Sequence, residues 1–247
     1  MHPVGCWRLT VTLPESFLRW NYFPRRKALL DLINGHSVVD ENRFFLESTR
    51  HNPALCTAFR KEDGDIFVNA KIVGVGYVAR EKCMDAVIKA FEEHVEYGDK
   101  LFGKNQVGDE LERNSREYQR AGASLLLEHL YFEDPKIANE RVDFGLMSTI
   151  ELALSKPQSS KHTWQIVQHN LSACLLFYQP PSISFEIRGK IEIHEDDSCS
   201  EFVNLVHDSF HYTPAKETRR KRPVYLVNID EVYDNGPAPT AFGKKIA

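Results

Sequence analysis

The chain has 247 residues, 42% of them hydrophobic and 27% charged, with 31 basic against 35 acidic side chains and a formal net charge of -4. That length allows one large domain or two small ones with a substantial core. The balance gives no general attraction to nucleic acid or anionic lipid. No stretch approaches the ~18 apolar residues of a membrane span. Cys6, Cys56, Cys83, Cys174 and Cys199 show no CxxC or paired spacing, which points to a reducing compartment and away from structural zinc. Met1 to Arg8 lacks a basic region followed by a long apolar segment, so a cytoplasmic protein is expected. Cys56 and Cys174 lie in apolar runs and are expected as small core residues.

Along the chain, residues 1–50 read as a helical or irregular extension, and 51–247 as the main domain. Arg25 to Gly35 reads as a short amphipathic helix closed by glycine. Ala54 to Phe59 and Ile66 to Val78 read as two strands around Glu62-Asp63-Gly64-Asp65, a strong hairpin signal. Between about 80 and 140 the texture becomes helical, with Lys82 to Tyr97 and Gly108 to Leu130 as a pair of helices. Val87, Phe91 and Val95 make a stripe at i, i+4, i+8, and Leu125, Leu126, Leu127 and Leu130 make a second apolar patch. Strand texture returns at Leu146 to Leu154, Ala173 to Tyr178, Ile183 to Ile193 and Pro223 to Ile229. Ile183, Phe185 and Ile187 alternate with Ser184, Glu186 and Arg188. Glu201 to His211 reads as a helix, and the tail after Asp234 as extended. The antiparallel strands and late helix predict a small β-barrel decorated by helices, with a helical insertion at about 80–140.

The most informative segment is Ser159-Ser160-Lys161-His162-Thr163-Trp164-Gln165-Ile166-Val167-Gln168-His169-Asn170, ahead of the apolar run Ser172 to Tyr178. It reads as a polar loop, a short helix from Thr163 to His169, and a buried strand. Hydroxyls, a lysine and an imidazole at a helical start suit an anionic phosphate. The same residues also suit a plain capped helix, with Ser159 or Ser160 as the N-cap. The run Arg219-Arg220-Lys221-Arg222 reads as a solvated loop before the last strand, or as a phosphate or nucleic-acid contact.

This segment, with Leu175-Leu176-Phe177, resembles a signature of the FMN-binding split-barrel superfamily, which includes pyridoxamine 5′-phosphate oxidases and flavin reductase-like proteins. Ile183 to Gly189 and Lys190 to Glu195 are similar to the strands that follow it, Val224 to Tyr233 to the final barrel strand, and Pro53 to Val78 to the opening hairpin. The resemblance covers about residues 50–78 and 145–235. It implies an antiparallel split β-barrel and an FMN phosphate held by Lys71 on the second strand with Ser160, Lys161 and His162 in the loop. Thr163 at the helix start completes that site, and Gln165 and Trp164 lie towards the ring system. Lys71 reads equally as a charged residue on the solvent face of an alternating strand, and Trp164 as a core residue. A homodimer is implied, each flavin touching both chains, with the strands around Leu175 and Ile187 between protomers. Two features depart from the oxidases. Gly76 stands near their second phosphate lysine, and Gly236 to Ala247 lacks their Arg-x-His substrate motif.

Three functions compete. One is a flavin-dependent oxidoreductase taking electrons from a donor such as NAD(P)H or from a small-molecule substrate. Another is a non-catalytic flavin- or haem-binding sensor or storage protein on the same barrel. The third is metal-dependent hydrolysis, from His207 and His211 at i, i+4 around Asp208, although no HExxH is present and no metal is expected. GxSxG, GxGxxG and GxxxxGK[ST] are all missing from the chain.

Overall fold

The Asp63-Gly64 turn forms the hairpin that its residues favour. In the computed structural model, which describes residues 11–35, 47, 50–103, 108–151, 157–213 and 222–247, Gly64 takes φ 92°, a left-handed conformation that glycine reaches at little cost. Strands β1 (Ala54–Arg60) and β2 (Ile66–Ile72) pair around it from Ala54↔Ile72 to Arg60↔Ile66. The apolar run continues past Ile72, but the strand does not. Instead of one strand to Val78, β3 (Gly76–Ala79) separates and pairs with β4 (Val142–Ile150). Strand β4 starts earlier than the expected Leu146, and residues 152–156 of that stretch lie outside the described residues.

Four more strands complete the sheet: β5 (Ser172–Gln179), β6 (Ile183–His194), β7 (Val224–Asp234) and the short β8 (Lys244–Lys245). Their order is β2-β1-β5-β6-β7-β4-β3, with β8 beside β7, and all pairs are antiparallel. The two ends of this path, β2 and β3, are neighbours in sequence. Residues 73–75 between them hold those ends within about 15 Å. The sheet therefore curls back towards itself, yet among the described residues no ladder joins β2 to β3. This is an antiparallel split β-barrel with helices. The expected pair of strands at Ile183 to Gly189 and Lys190 to Glu195 is one strand, bent at a bulge between Arg188 and Gly189. A Cβ at Gly189 would stand 2.0 Å from the Asn228 carbonyl oxygen, so the bend depends on glycine.

Helices hold more residues than strands. Helix α1 (Glu15–Trp20) places Phe17 and Trp20 against Phe177 and Phe185, with ring centroids 5.0 Å apart for Phe17–Phe177 and 5.4 Å for Trp20–Phe185. Helix α2 (Tyr22–Ile33) begins before the expected Arg25, and Gly35, with φ 67°, follows its C-cap Asn34. Tyr22 is fully buried and donates its hydroxyl to the Leu130 carbonyl at 2.8 Å. Residues 11–33 thus pack into the same core as the barrel.

Helices α3 (Glu81–Phe102), α4 (Asp109–His129) and α5 (Pro135–Arg141) occupy the stretch between β3 and β4. Val87, Phe91 and Val95 are buried along one face of α3, and Leu126 and Leu130 are buried from the second patch. The six-residue α6 (His162–Val167) precedes β5. Helix α7 (Ser198–Phe210) starts three residues before the expected Glu201 because Asp197 caps it, accepting from Ser200 N at 2.7 Å in a reciprocal capping box. It presses on α4 so closely that a Cβ at Gly122 would meet the Ser209 carbonyl oxygen at 1.9 Å. Among the described residues no helix is long and apolar enough to cross a membrane.

One part of the basic run departs from a solvated loop. Arg222 is 3% exposed and donates to Asp208 Oδ2 at 2.6 Å, tying the start of β7 to α7. Residues 219–221 lie outside the described residues.

Candidate functional site

The β1–β2 hairpin has two faces because successive strand residues alternate. On β2 the aliphatic side chains Ile66, Val68 and Ile72 are 60%, 67% and 71% exposed. The alternate residues, Phe67, Asn69 and Lys71, face α6. Phe67 meets His162 edge to face at 5.7 Å, and Asn69 donates its amide to Thr163 Oγ1 at 3.0 Å. The usual polarity of the strand is thus partly inverted: Ile66, Val68 and Ile72 lie outward, while Asn69 and Lys71 share the half-covered face with Phe67. The solvent-face reading of Lys71 does not hold.

Beneath α6 two lysines converge on one carboxylate. Glu151 follows the end of β4, where its N–H donates to the Pro223 carbonyl at 2.9 Å. Lys71 Nζ donates to Glu151 Oε2 at 2.8 Å, and Lys161 Nζ stands 3.9 Å from Glu151 Oε1. The Tyr225 hydroxyl donates weakly to Oε2 at 3.4 Å. The side chains of Glu151 and Lys161 are 7% and 8% exposed, and that of Lys71 is 30% exposed. Lys161 Nζ is buried with no hydrogen-bond partner among the described residues. Burial pulls the Lys161 amine below the usual lysine range, Glu151 opposes that shift, and the neighbouring Lys71 adds to it. Burial also pushes the Tyr225 hydroxyl up, reinforced by Glu151, so it stays protonated. Among the described residues two lysines and one carboxylate meet at this corner.

An ammonium buried without an acceptor is costly, and an anionic group brought to it would supply that acceptor. The corner therefore fits a phosphoryl oxygen, although Glu151 already takes up part of its positive charge. The other expected site residues divide. Thr163 is buried, with its hydroxyl engaged by Asn69. Ser160 donates its hydroxyl to the Pro157 carbonyl at 2.8 Å, and Gln165 donates its amide to the Ser159 carbonyl at 2.7 Å; both bonds fold the loop upon itself. His162 is exposed beside Phe67. Trp164 is half-buried against the core. Lys161, not Ser159 or Ser160, is the residue that precedes α6, and no side chain caps it. Glu151 was not among the expected site residues. Its signal in the sequence was an acid directly after a strand, ahead of the loop that carries Lys161.

On the other face of the sheet a groove of about 840 Å³ runs over β1, β2, β5 and β6, lined by Cys56, Val68, Ala70, Cys174 and Arg188 among others. Cys56 and Cys174 are half-buried on this face, directly opposite one another in the β1/β5 register, and are not core residues. Burial, with Glu186 next, pushes the Cys174 thiol up to about 12. Leu175 and Ile187, expected between protomers, are fully buried inside the chain. Their neighbours Leu176 and Tyr178, 39% and 56% exposed, continue the open apolar face instead.

His207 and His211 stand with ring centroids 5.2 Å apart, and His207 Nδ1 lies 2.9 Å from Asp208 Oδ1. Among the described residues no group of three or more His, Cys, Asp or Glu could hold a metal ion. A cleft of about 210 Å³ between α3 and α7 is lined by acids including Glu92, Asp99 and Asp208, and each of those three has an interaction partner.

No family model matches the chain, and no curated protein matches it. Among solved structures the chain is similar to one described as "Putative Pyridoxamine 5'-phosphate oxidase" from Listeria innocua, at 11% identity over 85% of this chain and 97% of that one, with a TM-score of 0.36. It is also similar to an F420 reductase, at 12% identity over 75% of this chain and 94% of that one, with a TM-score of 0.32.

Proposed function

We propose that this protein binds FMN and serves as an oxidoreductase of the pyridoxamine 5′-phosphate oxidase-like or flavin reductase-like type. The observation that carries the reading is the Lys161 ammonium, buried beside Lys71 and without an acceptor among the described residues. Lys71 and Lys161 hold the phosphate and neutralise its charge. His162, exposed, and Gln165, half-buried, lie on the same short helix and border the ligand. Trp164 keeps the helix seated on the core while they do so. The flavin, when bound, supplies the hydride-accepting ring, and NAD(P)H or a reduced small molecule supplies the electrons.

The working unit in this reading is a homodimer. Its interface is the open sheet face of Val68, Ile72, Leu176 and Tyr178, since apolar patches of this kind on a folded surface mark contact surfaces. Purified protein is expected to carry the visible absorbance of bound flavin, or to bind added FMN as judged by quenching of flavin fluorescence. A colourless protein that does not bind FMN on titration refutes the reading.

A further inference from the structure

Glu151 meets both lysines, as a ligand anion at this corner would. Its Oε2 takes the Lys71 hydrogen bond, and its Oε1 lies nearest to the Lys161 amine at a distance too long for a bond. A carboxylate 7% exposed against two cations is a resident counter-ion. It satisfies Lys71 well and Lys161 poorly, since Lys161 Nζ is left without a hydrogen-bond partner among the described residues. Among the described residues, Lys71 from β2, Lys161 at the start of α6 and Tyr225 from β7 face the carboxylate. The groove across the sheet plays no part, because Lys71 points to the face of β2 opposite Val68, Ala70 and Ile72.

We propose that Glu151 sets the phosphate affinity of this corner, holding the two lysines in place until a phosphoryl group displaces its weak contact with Lys161 and competes for Lys71. The inference rests on the reading of this corner as the FMN phosphate site. Two consequences follow from Coulomb's law. A phosphoryl dianion entering beside Glu151 meets a like charge a few ångströms away, so removing that charge strengthens binding. The effect is confined to ligands that carry the phosphate, so riboflavin, which has the same ring and no phosphate, is indifferent to it.

The test uses Glu151→Gln, with inorganic phosphate, FMN and riboflavin as probes at constant ionic strength, read by titration calorimetry and flavin fluorescence. Removing one full charge at this range is expected to tighten phosphate and FMN by at least about tenfold, with riboflavin unchanged. Because E151Q leaves two lysines without their carboxylate and can fail to fold, the same comparison is made between Lys71→Gln and the double variant K71Q/E151Q. The double variant is expected to bind phosphate at least about tenfold tighter than K71Q. Phosphate affinity that is undetectable, unchanged or weakened by loss of Glu151 in both backgrounds overturns the inference, whether or not flavin binds. Phosphate that tightens while no variant binds flavin supports the inference as an anion site and refutes the flavin reading alone.

Discussion

Replacing Lys161 by methionine should stabilise the fold and cripple the site. The amine is 8% exposed at the side chain, lacks a hydrogen-bond partner among the described residues, and is 3.9 Å from its nearest carboxylate oxygen. A buried donor left unsatisfied costs ~1–3 kcal/mol, and methionine fills a similar volume with a flexible apolar chain. Glu151 keeps its 2.8 Å bond from Lys71 in the variant. The expected gain is therefore ~1–3 kcal/mol, or roughly 2–12 °C in Tm for a chain of this size. The sign with pH follows from the lowered Lys161 pKa. The unfolded chain holds this proton more readily than the folded one, so the cost is present at neutral pH and fades as pH rises towards 10.5. Thermal melts of both proteins from pH 7 to 10 should show the advantage of K161M shrinking. FMN and phosphate binding should weaken by about 1–3 kcal/mol in the same variant. A K161M protein less stable than the parent at pH 7 refutes the reasoning, because it would mean the amine is satisfied.

Arg222→Met should lose ~3–5 kcal/mol, because its partner carboxylate is 1% exposed and stays charged; urea melts should also show the losses of D208N and R222M to be non-additive. In Asp208 burial alone would raise the carboxyl, but the hydrogen bonds from His207 and Arg222 outweigh it and hold the group low. Gly189→Ala should bring a Cβ to within 2.0 Å of the Asn228 carbonyl oxygen and cost at least ~1–3 kcal/mol through a forced backbone shift; a melt unchanged by G189A contradicts the bulge geometry. Burial, then Arg25 and His211, pull the His51 imidazole down to about 3. The contribution of His51 is complete above pH 6.5 and is lost as pH falls from 6.5 towards 3, at most roughly 5 kcal/mol. His51→Gln should therefore flatten the acid limb of the stability curve, and an unaltered slope would show that His51 protonates freely in the fold.

Much of the scaffold was legible because its signals are local. Asp63-Gly64 specifies a turn whatever surrounds it, and Val87, Phe91 and Val95 define a buried helix face by spacing alone. The break after Ile72 was not legible. Residues 66–78 read as one continuous β-rich stretch, and what divides it is the partner of β3, which arrives from β4 more than 60 residues later. The site was half legible. Lys71 and Lys161 do converge, but alternation was misleading on β2, where Ile66, Val68 and Ile72 face outward while Asn69 and Lys71 lie with Phe67 on the side of α6. The rule that apolar residues face inward presumes one buried face, and here the hairpin is covered by a helix on one side and left open on the other. Glu151 carried no motif. Its meaning depends on two lysines 80 residues before it and 10 residues after it, and only the folded chain puts the three together.

The most direct test of the central claim compares FMN with riboflavin on the unaltered protein, in competition with inorganic phosphate. If the corner of Lys71 and Lys161 holds a phosphoryl group, FMN should bind at least about tenfold more tightly than riboflavin, the scale of one charge-assisted bond, and phosphate should displace FMN without affecting riboflavin. Equal affinity for the two flavins, or FMN binding that phosphate leaves untouched, would contradict it.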